Sequence, residues 1–206
     1  MESIYGEYKD YLPLIMENIC KIFREFNDRR YKETGCKAYE HLSCRIKAEE
    51  SMREKCQRKG LEESPYSALH ELKDAIGIRA VCGFVDDIYA LVDFIKYSDK
   101  CEVVKEKDYI KHAKSNGYRS YHMIINFKTK FPDVDGNENG NYFAEIQLRT
   151  IAMDSWASLE HQMKYKKNIS NQELIESELK RCADELAACD ISMQTIRSLI
   201  RKKKKK

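Results

Sequence analysis

At 206 residues, 42% apolar and 34% charged, the chain is long enough to bury one substantial core and too apolar to be disordered. Its net charge of +3 is too small to mark a polyanion binder on the sum alone, so charge placement carries the information. Glu2, Glu7, Lys9 and Asp10 interrupt the first apolar run, which argues against a signal peptide or transmembrane span and for a cytoplasmic protein. The eight cysteines form no C-x-x-C pair and several take apolar positions, so they read as reduced core residues. The five histidines show no zinc-ligand spacing, and structural zinc is not expected.

Leu12, Ile15, Met16, Ile19, Ile22, Phe23 and Phe26 recur at helical spacing, predicting an amphipathic helix over 6–33 that ends at Gly35. Leu42, Cys44 and Ile46 then alternate with His41, Ser43, Arg45 and Lys47, a strand with one basic face. A helix over 48–59, ended by Gly60, puts Ser51, Lys55 and Arg58 on a shared side. Together these side chains form either a solvated basic face or a nucleotide cradle, guanidiniums stacking on a base and lysines on phosphates. Ser64-Pro65 opens a short helix to about Leu72. Residues 75–83 read as a strand with Ile76, Ile78, Ala80 and Cys82 inward and Arg79 outward. Asp74 at its entrance is either a turn acid or one that reaches a metal.

Asp86 is expected to cap a helix carrying Ile88, Leu91, Val92 and Ile95, with a strand near 101–105 after it. Residues 105–119 read as a basic loop, where Lys105, Lys107, Lys111, His112, Lys114 and Arg119 are interleaved with Tyr109 and Tyr118. The strand over 120–127 turns Tyr121, Met123, Ile125 and Phe127 one way, His122 and Asn126 the other. A turn rich in Gly, Asn and Asp over 133–141 returns the chain to a strand at 142–149. There Ala144, Ile146 and Leu148 face inward, and Glu145, Gln147 and Arg149 face out. An acid, an amide and a guanidinium in a row can hold a metal ion, a sugar or base edge, and a phosphate. The hairpin would bring His122 beside Glu145 or Gln147.

Thr150 caps a helix to about Lys166 with Trp156, Leu159 and Met163 as its buried stripe, and Ser170 with Glu173 forms a capping box for the next. In that last helix Ile175, Leu179, Cys182, Leu186, Cys189, Met193, Ile196 and Ile200 step alternately by four and three. So narrow a seam suits a partner helix, with docking on its own domain the alternative. Arg201 and five lysines close the chain as a basic tail, for which RNA or ribosome binding is the less favoured reading. The expected organisation is a catalytic unit over 1–168, an oligomerisation helix over 169–200 and a tail over 201–206.

The predicted fold is α+β, a mixed five-stranded sheet flanked by helices. Neither G-x-x-x-x-G-K-[ST] nor G-x-G-x-x-G occurs, so a nucleotide must be held by side chains. Two cationic patches with two acids, Asp74 and Glu145, point to two phosphorylated substrates around a magnesium ion.

Gly117-Tyr118-Arg119-Ser120-Tyr121-His122 resembles the G-Y-R-S-x-H signature of RelA/SpoT-type alarmone synthetases, and Glu145-Ile146-Gln147-Leu148-Arg149-Thr150 resembles their E-I-Q-[IL]-R-T strand. Ala152-Met153-Asp154, Trp156-Ala157 and Leu159-Glu160-His161 match the helix that follows in their small, single-domain branch. Glu40-His41-Leu42, Arg45-Ile46-Lys47, Ser51, Lys55 and Arg58, with Asp74-Ala75-Ile76-Gly77-Ile78-Arg79, resemble that branch's ATP side. The resemblance implies a nucleotidyltransferase-like fold and transfer of the β,γ-pyrophosphate of ATP to the 3′-hydroxyl of GTP, GDP or GMP, giving (p)ppGpp-type alarmones without hydrolase activity. It implies adenine between Arg45 and Arg79, with Lys47, Ser51, Lys55 and Arg58 on the ATP side. Asp74 and Glu145 would hold Mg2+, and Glu145 would activate the hydroxyl. Tyr118 would stack on guanine, with Lys114, His122, Gln147, Arg149 and Asp154 also on the acceptor nucleotide. The C-terminal helix would join subunits, often into a tetramer. Transfer to tRNA or an adenosine nucleotide, and a non-catalytic alarmone or RNA sensor, are the alternatives.

Overall fold

A computed structural model of the chain describes residues 2–164 and 171–203. A 3-10 turn at Gly6–Asp10 leads into α1, Tyr11–Thr34, so the first expected helix is split. Pro13 falls in the first turn of α1, where its missing N–H costs no helical bond. Gly35 ends α1 at φ 68°, a left-handed stop that lacks a Cβ penalty only for glycine. The order continues β1 (His41–Ile46), α2 (Glu49–Lys59), a wide helical turn at Ser67–Glu71, β2 (Ile76–Cys82) and α3 (Val85–Lys96). Then come β3 (Cys101–Asp108), β4 (Tyr121–Lys128), β5 (Asn141–Thr150), α4 (Ile151–Lys164) and α5 (Gln172–Lys203).

The strands form one mixed sheet in the order β1-β2-β5-β4-β3, with β2 and β5 parallel and every other pair antiparallel. Period-two alternation gives it one apolar face, where Ile76, Ile78, Met123, Ala144, Ile146 and Leu148 are buried against α1 and α3. Phe23 and Phe26 of α1 meet Phe94 of α3 beneath it, edge-on and stacked. The other face carries the polar residues.

Several expectations are corrected. β3 runs to Asp108, so Lys105 and Lys107 belong to a strand; a bulge between Val103 and Lys105 breaks its alternation. Asp86 does not cap α3, whose N-cap is Phe84; it lies inside the first turn and bonds Gln194 of α5. In α4 Trp156 is buried but Leu159 is 54% exposed and Met163 is exposed too, because the packing on α5 is made by the earlier part of the helix through Trp156 and Ala157. The sulfurs of Cys20 of α1 and Cys44 of β1 meet, with 7.4 Å between their Cα atoms, wider than the roughly 4.4–6.8 Å that a disulfide spans, while the other six cysteines are unpaired. Thr150 does cap α4, its Oγ1 accepting from the Met153 N–H. Ser170 of the expected capping box, and the end of the tail, lie outside the described residues.

α5 docks on its own domain through part of the apolar seam, Leu179 and Leu186, and the residues beside it, as the alternative reading of the seam had it. Leu179, Ala183 and Leu186 pack with Trp156, Ala157 and Tyr118, and the Trp156 indole N–H donates to the Leu179 carbonyl. Farther along, Thr150 donates to Asp190, and Arg197 grips Asp87. The rest of the seam, Cys182, Cys189, Met193, Ile196 and Ile200, stays exposed.

Candidate active site

The register aligns two rows of side chains on the polar face. Ser43, Arg79, Gln147, His122 and Lys107 lie opposite one another from β1 to β3, and Arg45, Gly77, Glu145, Ile124 and Lys105 form the next row. His122 thus stands directly opposite Gln147 and diagonal to Glu145, one of the two placements the hairpin allowed.

Two clefts open on this face. The smaller, about 150 Å³, is lined by Arg45, Gly77, Arg79, Glu145 and Gln147. The larger, about 440 Å³, is lined by lysines 55, 59, 73, 105, 107 and 114 together with Asp74, Tyr109, His122 and Glu145. Glu145 borders both. A planar cation pair sits on one side of this carboxylate and a lysine-rich bay on the other, which is a place for two anionic ligands with a base between them.

Asp74 is nearly buried, its Oδ2 held by Lys47 Nζ at 2.5 Å and Lys55 Nζ at 2.6 Å. Burial pushes this carboxyl up, yet the two ammonium groups outweigh burial and hold it below the ordinary carboxylate range. Its Oδ1 is buried without a hydrogen-bond partner. Glu145 Oε1 lies 3.4 Å from His122 Nδ1, and its Oε2 accepts from Gln147 Nε2 at 3.1 Å. The His122 contact, helped by Gln147, keeps Glu145 below its usual value against burial and the nearby Asp74 charge. Glu145 is therefore ionised at neutral pH and able to accept a proton.

Tyr118, His122, Glu145, Gln147 and Arg149 close a ring of contacts. Arg149 Nη2 donates to the Tyr118 hydroxyl at 2.8 Å and to Gln147 Oε1 at 3.3 Å, and the Tyr118 hydroxyl shares a 2.8 Å hydrogen bond with His122 Nε2. Arg149 is 6% exposed, so this lattice of donors is fixed from below. Asp154 accepts from Arg149 Nη1 at 2.9 Å and faces Arg79 Nη1 at 3.5 Å. Lys114 Nζ lies 4.7 Å from the Tyr118 ring centre and 4.8 Å from that of Tyr109.

Of the predicted residues, Arg45, Arg79, Glu145 and Gln147 meet in the smaller cleft, and Lys55, Asp74, Lys114, His122 and Glu145 in the larger. Lys47 joins through Asp74; Tyr118, Arg149 and Asp154 join through the ring. Ser51 and Arg58 are exposed on α2 and line neither cleft. Arg119 turns away to α5, bonding Asp184 and the Ala183 carbonyl. Tyr109, read from the sequence only as one aromatic of a basic loop suited to phosphates and a stacked base, lies edge-on to His122 at 5.5 Å; Lys73, 4.3 Å from the Phe143 ring centre, was given no role. The signal available for Tyr109 was its place one residue past a strand on which Lys105 and Lys107 share a face. Gly117 holds φ 88°, and a Cβ there would meet the Ala183 Cβ at 2.6 Å, so the segment carrying Tyr118 can touch α5 only as glycine.

The family model described as "Region found in RelA / SpoT proteins" matches residues 44–170. The chain belongs to the RelA/SpoT family. The GTP pyrophosphokinase YwaC of Bacillus subtilis is 41% identical over 150 residues, covering 73% of this chain and 70% of that protein. GTP pyrophosphokinase YjbM of the same organism is 33% identical over 158 residues, covering 77% and 72%. Among solved structures, small alarmone synthetase 1 from Bacillus subtilis bound to its product pppGpp superposes with a TM-score of 0.75 at 29% identity, covering 92% of this chain and 94% of that one. Small alarmone synthetase 2 from Bacillus subtilis gives 0.76 at 33% identity, covering 94% and 99%. The RelA/SpoT match includes all of β2 to β5 and so every strand residue of the two clefts except Ser43 of β1.

Proposed function

We propose that this RelA/SpoT protein is a synthetase of (p)ppGpp-type alarmones, moving the β,γ-pyrophosphate of ATP onto the 3′-hydroxyl of a guanosine nucleotide. The observation that carries the reading is Glu145 standing between a guanidinium-lined cleft and a lysine-lined one, with Asp74 beside it. Arg45 and Arg79 present planar cations to adenine, and Lys47 and Lys55 exchange Asp74 for ATP phosphates. The acceptor occupies the side of Lys114, Tyr118, His122, Gln147 and Arg149. Glu145 takes the 3′-hydroxyl proton as the oxygen bonds the β-phosphorus, and the bond from that phosphorus to the α,β-bridging oxygen breaks to release AMP.

Mg2+ fits the donor set. Asp74 Oδ1 is buried and unpartnered, and among the described residues no cluster of three or more metal-ligating side chains exists. An ion held by only one or two carboxylates, with water and phosphate oxygens completing its shell, is how magnesium is bound at phosphoryl-transfer sites. When bound, it would neutralise charge on the transferred phosphates. Incubation with ATP, magnesium and GDP, followed by chromatography, is expected to give AMP and a 3′-diphosphorylated guanosine nucleotide, and chelation to stop it. No product with GTP, GDP or GMP would overturn the assignment.

The exposed seam on α5 fits a second copy of the chain, and the homotetramer is the assembly we favour. Ile196 is 51% exposed there, with Met193 and Ile200 beside it. Ile196→Glu combined with Met193→Glu is expected to shift the protein toward monomer in sedimentation while leaving its melting temperature nearly unchanged. An unaltered mass would show that this stripe joins nothing. Among the described residues no helix is long and apolar enough to cross a membrane, and the nucleotide substrates support a cytoplasmic site of action.

A further inference from the structure

Asp154 sits in the first turn of α4, where an acid is favourable against the helix dipole whatever else it does. Its contacts reach further than that. One oxygen, Oδ1, accepts from Arg149 Nη1 at 2.9 Å and faces Arg79 Nη1 at 3.5 Å. These two guanidiniums belong to different neighbourhoods: Arg79 lines the smaller cleft with Arg45, and Arg149 belongs to the ring that ends on Glu145. Both Nε atoms are buried without partners, so each guanidinium is placed by what its Nη atoms meet. Burial disfavours the Arg79 charge most, the neighbouring Arg149 adds to that, and Asp154 opposes both. A carboxylate between two like charges lowers the cost of holding them near each other.

From this geometry we infer that Asp154 is a positioning residue shared by the two nucleotide subsites, setting the adenine-facing Arg79 and the acceptor-facing Arg149 relative to each other. The inference rests on the ATP-side and acceptor-side residues proposed above. It differs from a role in reading the guanine base, because a base contact would act on the acceptor alone. With the anion gone, Arg79 and Arg149 separate, and each nucleotide loses a pre-set cation.

The test measures binding without turnover. Calorimetric titration of the wild type, Asp154→Asn and Asp154→Glu with α,β-methylene-ATP plus magnesium, and separately with GDP, reads each subsite alone. Asp154→Asn is expected to weaken the ATP analogue and GDP each by roughly tenfold, and Asp154→Glu to recover most of the loss. Arg149→Lys, which changes the partner on the acceptor side, is expected to weaken the ATP analogue as well. Normal ATP-analogue binding in Asp154→Asn or in Arg149→Lys overturns the inference. So does a lower melting temperature in Asp154→Asn with both affinities intact, the mark of a helix-end charge only. Wild-type protein that binds no ATP analogue would instead fail at the donor-cleft assignment, and this inference would fall with it.

Discussion

Glu145→Gln is expected to slow diphosphate transfer by about 10²–10⁴-fold with the fold intact, the range spanned by loss of a positioned general base. The amide is nearly isosteric with the carboxylate, so packing around β5 stays the same. It has one acceptor oxygen where Glu145 has two, and those two oxygens face His122 and Gln147 separately. Turnover should therefore fall with little change in KM for ATP. Asp74→Asn should also stop transfer, through a different route. Its carboxylate is the shared partner of Lys47 and Lys55, so neutralising it releases both ammonium groups. ATP then binds at least as well as in wild type in the absence of metal, while turnover collapses. Rates from product chromatography, together with ATP affinity measured with and without magnesium, separate the two variants. A wild-type rate in Glu145→Gln would remove the base assignment.

The strands of the site were legible because their chemistry repeats with the pleat. Ile76, Ile78, Ala80, Ala144, Ile146 and Leu148 all face inward as the alternation required, which forces Arg79, Glu145 and Gln147 onto the opposite face. Where the repeat is broken, the reading failed. The bulge after Val103 leaves Val104 exposed and hides the second half of β3 in what reads as a basic loop. Contacts between distant residues left no periodic trace at all. Asp87 meets Arg197 across 110 positions, and nothing in the spacing of either predicts it. The ring around Glu145 lies between these cases. Its strand members are two residues apart and fall together by pleat alone, whereas Tyr118 enters through a loop that α5 holds from behind. The seam on α5 was visible as a pattern, with docking on its own domain as one of its two readings, and Leu179 and Leu186 do dock; the pattern did not reveal the rest of the face, because that is built from Asp190, Gln194 and Arg197.

That polar docking face leads to the largest stability effect expected here. Asp87 lies in the first turn of α3, is 3% exposed, and receives two hydrogen bonds from Arg197, at 2.6 and 2.8 Å, besides an ion pair with Arg30 of α1. One carboxylate thus ties three helices together under the Phe84 ring, which the Arg197 guanidinium covers at 4.2 Å. Asp87→Ala would strand two mostly buried guanidiniums, a loss on the order of 3–5 kcal/mol for breaking a buried ion pair from one side. Arg197→Ala should cost less, since Asp87 keeps Arg30. Exposed pairs on α5 such as Arg181 with Glu178 and Glu185 should matter little, being fully hydrated on both sides. Urea unfolding midpoints should therefore rank Asp87→Ala below Arg197→Ala, and both below Arg181→Ala, which stays near wild type. Hydrogen exchange should show protection lost first in the Arg197 end of α5, because the Trp156 contact with Leu179 still anchors the other end. If Asp87→Ala unfolds at the wild-type midpoint, the three-helix tie is not what holds α5 to the domain, and its docking must rest on the apolar cluster around Ala183 and the polar contacts of Asp184, Asp190 and Gln194.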